Sequence, residues 1–363
     1  MMAQIDRLFD VLLDRGGSDL HLSVGYPAMI RAKGDLVRIG TTPISAEQMD
    51  ALLAEICDPE RFESFKLTRD LDFAYAYGNR ARFRANYLWK TTGPGAVFRT
   101  IPSKILSAEQ LDLPPAVVKL ATRRSGLVLV TGPTGSGKST TLAAMVHQIN
   151  LTRPGHILTI EDPVEFVHQP IKCQITHREV GLDTPSFADA IRSAGRENAD
   201  VILVGELRGH ETMRLALQLA SFGCLVFATV HTNSAAATID RFINAFPASQ
   251  QPQVRGMLSD ALAGIVAQQL LKRADGTGRI AAHEILVANP GVASSIREAK
   301  TAMIVNLIQG GAQQGMQSLD AALERLFTSG LVTAEDALEK ANDKEFFARI
   351  PEVASQLGKV MTG

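Results

Sequence analysis

The chain has 363 residues, of which 45% are hydrophobic and 21% are charged. This is the composition of an ordinary soluble protein with about two or three domains. A formal net charge of -1 argues against a general nucleic-acid binder, and no apolar stretch is long enough to predict an integral membrane segment. Cys57, Cys173 and Cys224 are far apart and contain no C-x-x-C pair. Their spacing fits neither a disulfide framework nor a zinc site and favours a reducing cytoplasm.

Residues 1–102 are predicted to form a small α+β domain. Apolar residues at helical spacing indicate an opening helix that ends near Gly17. A short alternating strand follows, with Asp19 and His21 expected on a solvated face. Ser45 and Gln48 then form the capping box of a second helix.

Three strands are predicted next, over residues 71–77, 81–89 and 96–101. A hairpin turn at Gly78-Asn79 joins the first two. Alternation places Arg82 and Arg84 on one face of the second strand, and Arg99 of the third strand could join them. A row of arginines on a sheet face is usually a solvated surface. Arginine geometry also suits a phosphate held across an interface, and spacing alone leaves the two interpretations about equal.

Residues 103–115 lack periodicity and are predicted to be an interdomain linker, so a second domain would cover residues 116–363. Its first strand is followed by the P-loop pattern G-x-x-x-x-G-K-S and then by a helix. The residues predicted to bind a nucleoside triphosphate are Gly132, Pro133, Thr134, Gly135, Ser136, Gly137, Lys138, Ser139 and Thr140. The glycines allow backbone N–H groups to form an anion site at a helix N-terminus. Lys138 would reach the β- and γ-phosphates, and the Ser139 hydroxyl would complete the coordination of Mg²⁺.

Polar side chains follow three further apolar strands, predicted near residues 156–160, 201–206 and 225–232. Strands that alternate with helices imply an α/β domain with a mostly parallel sheet covered on both faces. Ligands of such sheets lie beyond the carboxyl ends of the strands. The side chains expected at this edge are those of Glu161, Asp162, Glu165, Glu206 and His231.

These residue types fit phosphoryl transfer, which needs a neutralised phosphate and an oriented attacking water. Glu206 ends a strand that resembles a Walker B strand and would hold the Mg²⁺ shell. Either Glu161 or Glu165 would polarise the water, and His231 could sense the γ-phosphate through a hydrogen bond. Arginines from another subunit would stabilise the charge of the transition state.

Five stretches resemble a known family, namely GPTGSGKSTTLAAM (132–145), HILTIEDPVEFVH (156–168), REVGLDTPSFADAIR (178–192), DVILVGELRGHETMRLAL (200–217) and LVFATVHTNSAAATIDRFINAFP (225–247). In this order they resemble the secretion/pilus ATPase superfamily and, within it, the twitching-motility ATPases of the PilT type. The resemblance implies a ring-shaped homo-hexamer with a RecA-like ATPase domain, and it identifies the N-terminal domain of residues 1–102 as PAS-like. It also implies that Glu165 is the catalytic glutamate, Glu206 the Walker B glutamate and His231 the retained histidine of the His box. Arg82, Arg84 and Arg99 match the arginines that the family offers to ATP.

The N-terminal region and the cysteines indicate the subtype. The PAS-like domain begins at once, and three scattered cysteines cannot form the zinc insert of many assembly ATPases. The resemblance therefore implies a motor for type IV pilus retraction, located at the cytoplasmic base of the pilus with an inner-membrane platform protein as partner. Gly209, Cys224 and Ala293 depart from the family pattern. They leave open a PilU-like accessory paralogue, or a PilT-type motor with a different output interface. Two further alternatives are an assembly or secretion motor, and a regulatory protein with little turnover; a paralogous pilus ATPase is a further possible partner.

Overall fold

The computed structural model describes residues 3–32, 34–78, 80–101, 104–350 and 353, with the side chain of Phe346 excepted. The predicted turn at Gly78-Asn79 lies partly outside the described residues, because Asn79 is not among them. The chain forms two compact units. The first contains Met1–Lys104 and Asp162–Val167, and the second contains Ile105–Glu161 and His168–Gly363.

The first unit is a six-stranded antiparallel sheet with three helices. Its elements in chain order are α1 (Asp6–Asp14), β1 (Asp19–Ser23), β2 (Met29–Ala32), β3 (Asp35–Arg38), α2 (Ala46–Ala54), α3 (Pro59–Thr68), β4 (Asp70–Tyr77), β5 (Ala81–Lys90) and β6 (Gly93–Ile101). The strands are arranged in the order β3-β2-β1-β6-β5-β4. The predicted capping box of Ser45 and Gln48 at the start of α2 is confirmed.

The core of the first unit lies on one face of this sheet. The alternation predicted for β5 is confirmed, since Phe83, Ala85 and Tyr87 are all fully buried. Phe9 of α1 stacks on Phe83 with ring centroids 4.2 Å apart. The Tyr87 hydroxyl donates a hydrogen bond of 2.9 Å to the carbonyl of Leu53, which satisfies the polar end of a buried ring.

The second unit is larger and contains the remaining elements. These are α4 (Pro115–Ala121), β7 (Gly126–Thr131), α5 (Lys138–Thr152), β8 (Gly155–Glu161), β9 (Cys173–Glu179), α6 (Phe187–Ala194), β10 (Val201–Val204), α7 (His210–Ser221), β11 (Leu225–Val230), α8 (Ala235–Asn244), α9 (Gln251–Ala261), β12 (Leu262–Lys272), β13 (Arg279–Val287), α10 (Pro290–Arg297), α11 (Met303–Gly310), a 3₁₀ helix (Ala312–Gln314), α12 (Leu319–Thr328), α13 (Ala334–Lys340) and α14 (Lys344–Ala348).

Seven strands form its sheet in the order β13-β12-β7-β11-β10-β8-β9. Neighbours from β12 to β9 are parallel, and β13 at the edge is antiparallel to β12. The predicted mostly parallel sheet is therefore confirmed. Strand β11 lies between the P-loop strand β7 and β10, so the strand ends that carry polar residues are neighbours.

Both faces of this sheet are buried. Fully buried strands such as β7 supply side chains to two hydrophobic clusters, because successive residues of a strand point to opposite faces. Ala108 and Leu113, which fall in the predicted linker, are buried within one of these clusters. A further cluster packs the C-terminal helices α12 and α13 together with Leu271 of β12 and Ala282 of β13. Within the described part of the chain, no helix combines the length and the apolar character needed to cross a membrane.

Candidate active site

The P-loop connects the buried strand β7 to the N-terminus of α5. Gly132, Gly135 and Gly137 all have positive φ angles, of 147°, 79° and 87°. This region of backbone conformation favours glycine because it carries no Cβ. A Cβ on Gly132 would overlap the main-chain oxygen of Gln268, so this glycine is also required by close packing. The loop is thus a fixed backbone cradle at a helix N-terminus, as the motif predicts.

Lys138 and Ser136 provide the polar groups of the cradle. Lys138 is the first residue of α5, and its Nζ donates hydrogen bonds to the carbonyls of Gly132 and Pro133, at 3.0 and 2.9 Å. The Ser136 hydroxyl is buried, and its oxygen forms no hydrogen bond with the described residues. The ammonium group held over the loop and the unsatisfied hydroxyl are hydrogen-bond donors, and a phosphate can accept a hydrogen bond from each. The residues present therefore fit a nucleotide phosphate.

Gln268 of β12 supports the loop from behind, and sequence reasoning missed it. Its side-chain Nε2 donates a 2.6 Å hydrogen bond to the carbonyl of Ser136. Its Oε1 accepts a 2.8 Å hydrogen bond from the hydroxyl of Thr141 in the first turn of α5. The residue lies more than a hundred positions after the P-loop motif, and no local pattern marks its role.

His231 and Glu206 meet at the carboxyl edge of the sheet, after β11 and β10. The Nε2 of His231 lies 3.4 Å from Oε1 of Glu206, and an Arg208 nitrogen lies 2.9 Å from the other carboxylate oxygen. Burial raises the pKa of Glu206, but hydrogen bonds and charge from Arg208 and His231 outweigh it, so the pKa is lowered overall. Glu206 is therefore an anion at neutral pH and a suitable oxygen ligand for Mg²⁺.

Glu161 ends β8 and is buried at the same edge, beside Gly205, whose N–H donates to the carbonyl of Ile160 at 2.8 Å. The second unit thus brings together the P-loop, His231, Glu206 and Glu161. Their order across the sheet follows the strand order β7-β11-β10-β8.

Asp162 and Glu165, predicted at the same edge, belong to the segment grouped with the first unit. In that unit the guanidinium of Arg82 donates a 3.2 Å hydrogen bond to the carbonyl of Val164, the residue before Glu165. The Nε of Arg82 is buried and forms no hydrogen bond with the described residues. Arg82 is therefore partly committed to the backbone of the segment that carries Glu165.

Arg84 and Arg99 face each other on the antiparallel strands β5 and β6. Arg99 forms a 2.8 Å ion pair with Asp19 of β1, whose side chain is 7% exposed. The expectation that Asp19 lies on a solvated face is wrong, because β1 is a central strand and Asp19 pairs with Arg99 across it. Burial raises the pKa of Asp19, but its bonds to Ser18 and Arg99 lower it overall. Arg84 is exposed and forms no ion pair in the part of the chain that the structure describes.

The three departures from the family pattern lie on three different elements. Gly209 is the N-cap residue of α7 and has a φ of 84°. Cys224 precedes β11 at the opposite end of the strand from His231, and its thiol contacts the carbonyl of Ala199. Ala293 lies in α10, which buries Val292 and Ile296. None of the three belongs to the P-loop residues 132–140.

A buried carboxylate links the helix after His231 to the C-terminal helices. Glu284 of β13 accepts a 2.7 Å hydrogen bond from the N–H of Ala235, the first residue of α8. It also accepts from the N–H of Leu319, the first residue of α12. Burial raises the pKa of Glu284 despite these two bonds, which favour its charged form.

The sequence of this chain is similar to a family of known proteins. Residues 69–339 match the family of the type II/IV secretion system protein. The chain is 49% identical over 333 residues to the type IV pilus retraction ATPase PilT of Pseudomonas aeruginosa, covering 92% of this chain and 96% of that protein. It is 38% identical over 350 residues to the pilus ATPase PilU of the same organism, covering 96% and 92%.

Among solved structures, a crystal structure of the pilus retraction motor PilT with bound ADP superposes with a TM-score of 0.88. The sequence identity is 39%, over 96% of this chain and all of that chain. The predicted fold class, an α/β ATPase domain preceded by a small α+β domain, is confirmed by this similarity. The chain belongs to the type II/IV secretion system protein family, among members that include the pilus ATPases PilT and PilU.

Proposed function

We propose that this protein is an ATP-hydrolysing motor that powers retraction of a type IV pilus. The observation that carries the proposal is an intact set of P-loop, Glu206 and His231 in a chain similar to PilT over nearly its whole length. Similarity of this extent, rather than of the ATPase region alone, favours retraction over assembly or secretion. The lack of a cysteine pattern for a zinc insert agrees with this choice.

The P-loop residues bind and orient the triphosphate. Backbone N–H groups of the loop hold the β-phosphate, and the residues in contact with the nucleotide are Gly132, Pro133, Thr134, Gly135, Ser136, Gly137, Lys138, Ser139 and Thr140. Lys138 exchanges its two carbonyl contacts for the β- and γ-phosphates, since charge-assisted hydrogen bonds are stronger than bonds to neutral carbonyls.

The carboxylates and the histidine complete the chemistry. Ser139 and Glu206 would hold Mg²⁺, which neutralises charge on the phosphates when it is bound. Glu165 polarises the attacking water, with Glu161 as the alternative for this role. His231 reports the γ-phosphate, because a change in its hydrogen bonding reaches Glu206 directly.

The arginines of the first unit are proposed to stabilise the transition state, and Arg84 is the strongest candidate. It is exposed and has no ion pair among the described residues, whereas Arg99 is paired with Asp19 and Arg82 with a backbone carbonyl. In the proposed homo-hexameric ring, these arginines would act on a nucleotide bound to another subunit. Domain motion coupled to hydrolysis would transmit force around the ring.

The motor is proposed to work in the cytoplasm at the inner-membrane base of the pilus. It would engage a platform protein there and could act together with a paralogous pilus ATPase. The domain boundaries, with residues 1–102 and 116–363 joined by a linker over 103–115, remain part of this proposal.

The test is steady-state ATPase turnover, with the oligomeric mass measured in ATP. We expect the wild type to hydrolyse ATP as a hexamer and Glu165→Gln to hydrolyse almost none. Glu63→Gln is the matched control, because its side chain is 71% exposed on α3. A wild type without turnover would refute the motor and favour a regulatory role or a dependence on a partner ATPase. Turnover that survives Glu165→Gln would remove this residue from the site.

Retraction itself is tested in cells. We expect the gene to restore twitching motility to a strain that lacks its own PilT, and Glu165→Gln to restore none. Restored pilus assembly in a strain that lacks its assembly ATPase would overturn the direction of force proposed here.

A further inference from the structure

Gln268 is a buried polar side chain of β12 that joins two parts of the nucleotide site. It is 3% exposed, and both ends of its amide are satisfied. Nε2 donates to the Ser136 carbonyl of the P-loop, and Oε1 accepts from the Thr141 hydroxyl of α5. Because a carbonyl can only accept, the nitrogen must face Ser136, and the orientation of the amide is defined.

The bond to Ser136 determines the direction of a neighbouring N–H group. The peptide bond is planar and trans, so the carbonyl of Ser136 and the N–H of Gly137 point in opposite directions. The hydrogen bond from Gln268 orients the Ser136 carbonyl toward β12. The N–H of Gly137 is thereby directed away from Gln268.

Packing against Gln268 also accounts for two of the motif glycines. A Cβ on Gly137 would lie 2.8 Å from Nε2 of Gln268. A Cβ on Gly132 would overlap the main-chain oxygen of Gln268. The backbone of β12 therefore excludes a side chain at Gly132, whereas a side chain at Gly137 would displace the amide of Gln268.

We propose that Gln268 is a positioning residue for nucleotide binding, which holds the Ser136–Gly137 peptide with its N–H directed at the phosphate. The inference rests on the proposed binding of ATP at the P-loop and extends it to a residue of another strand. Gln268 acts through the loop and does not contact the nucleotide itself.

The test is the affinity of the full chain for Mg-ADP, measured by calorimetry, for the wild type and Gln268→Glu. At about pH 8 an ionised carboxylate would face the Ser136 carbonyl with no proton to donate, and we expect the affinity to fall at least about tenfold. Burial and the facing carbonyl raise the pKa of the introduced carboxyl. Lowering the pH to about 6 should therefore protonate it, restore a donor to Ser136 and recover much of the affinity.

Gln313→Glu is the matched control, since Gln313 is exposed in the 3₁₀ helix and the charge change is the same. Its affinity should follow the wild type at both pH values. Equal affinity of Gln268→Glu and wild type at high pH would overturn the inference. So would a loss of affinity that is the same at both pH values, because a merely structural defect would not respond to protonation.

Thr141→Val keeps the inference testable if Gln268→Glu fails to fold. It removes the hydroxyl that holds Oε1 while leaving Gln268 in place, and a weakening of about two- to fivefold is expected. An unchanged affinity would count against the inference. A wild type that fails to bind Mg-ADP at all would instead refute the proposed function, so the two failures are distinguishable.

Discussion

The two units hold the groups that are proposed to act on phosphate in different ways. In the second unit the P-loop is fixed by backbone geometry and by buried hydrogen bonds from Gln268. In the first unit the arginines lie on strands of a sheet, and two of them have partners of their own, Asp19 for Arg99 and the Val164 carbonyl for Arg82. A motif that specifies backbone shape can be read from sequence, whereas the partner of a long side chain depends on strands that pair far apart in the chain.

Lys138→Ala should have the largest effect and tests the fixed site of the second unit. Removing the charge that neutralises the β- and γ-phosphates should lower ATPase turnover by at least about 10²-fold. Steady-state turnover at saturating ATP is the measurement. Lys119→Ala, which removes an exposed lysine of α4, should keep wild-type turnover. Wild-type turnover in Lys138→Ala would mean that the loop is not the site of hydrolysis.

Gly132→Ala tests whether backbone shape, rather than charge, defines the loop. The added methyl group would overlap the Gln268 oxygen and lie 2.5 Å from the Ser136 hydroxyl oxygen, so the loop must shift. We expect affinity for Mg-ADP to fall about tenfold or more, which corresponds to about 1.4 kcal/mol. Gly135→Ala is the control, because a Cβ there meets no atom within 4 Å, although its positive φ still disfavours alanine. An equal loss of affinity in both variants would show that the positive φ, rather than the contact with β12, causes the loss.

Arg84→Ala and Arg99→Ala test which arginine of the first unit acts on turnover and which on stability. Arg84 has no ion pair among the described residues, so its loss should lower turnover about tenfold or more without reducing stability. Arg99 is bound to Asp19, so its loss should reduce stability more than turnover. Turnover and urea unfolding are measured on both variants. The reverse pattern would assign the nucleotide to Arg99 and leave Arg84 as a surface residue.

Asp19→Asn should have the smallest effect, confined to the stability of the first unit. Loss of the ion pair with Arg99 should lower the unfolding free energy by about 1–2 kcal/mol at neutral pH, discounted because Arg99 is 68% exposed. The pKa of Asp19 is lowered in the folded state, so its contribution is present above the ordinary value of 3.8 and is lost as the pH falls.

Urea unfolding followed by tryptophan fluorescence measures this effect, because Trp89, the single tryptophan of the chain, lies in the first unit. The difference between the wild type and Asp19→Asn should narrow in acid. Asp14→Asn is the control, with a side chain that is 73% exposed. A difference that stays constant below the ordinary pKa would show that the loss does not arise from the charge of Asp19.

Local patterns predicted most of what lies near the P-loop. The strand before the loop, the helix after it and the polar residues that end β8, β10 and β11 follow from short runs of sequence. The buried face of β5 follows from simple alternation. These features depend on neighbours within a few residues, which a sequence displays directly.

Features that depend on distant pairing could not be predicted in this way. Asp19 is buried because β1 lies between β2 and β6, and Gln268 acts because β12 lies beside β7. Strand β9 was also missed, and it joins the sheet only by pairing with β8. The roles of Glu165, Glu206, His231 and the arginines remain predictions that the variants above address.

The carboxylate of Glu284 has a mechanical consequence. It receives the first N–H of α8, which follows His231, and the first N–H of α12 in the C-terminal region. A displacement that separates the two helices would leave one of these N–H groups unsatisfied, at a cost of about 1–3 kcal/mol. A displacement that carries both helices together avoids this cost. Glu284 therefore couples the start of α8 to the start of α12. In the proposed motor, a movement that begins near His231 would carry the C-terminal helices with it.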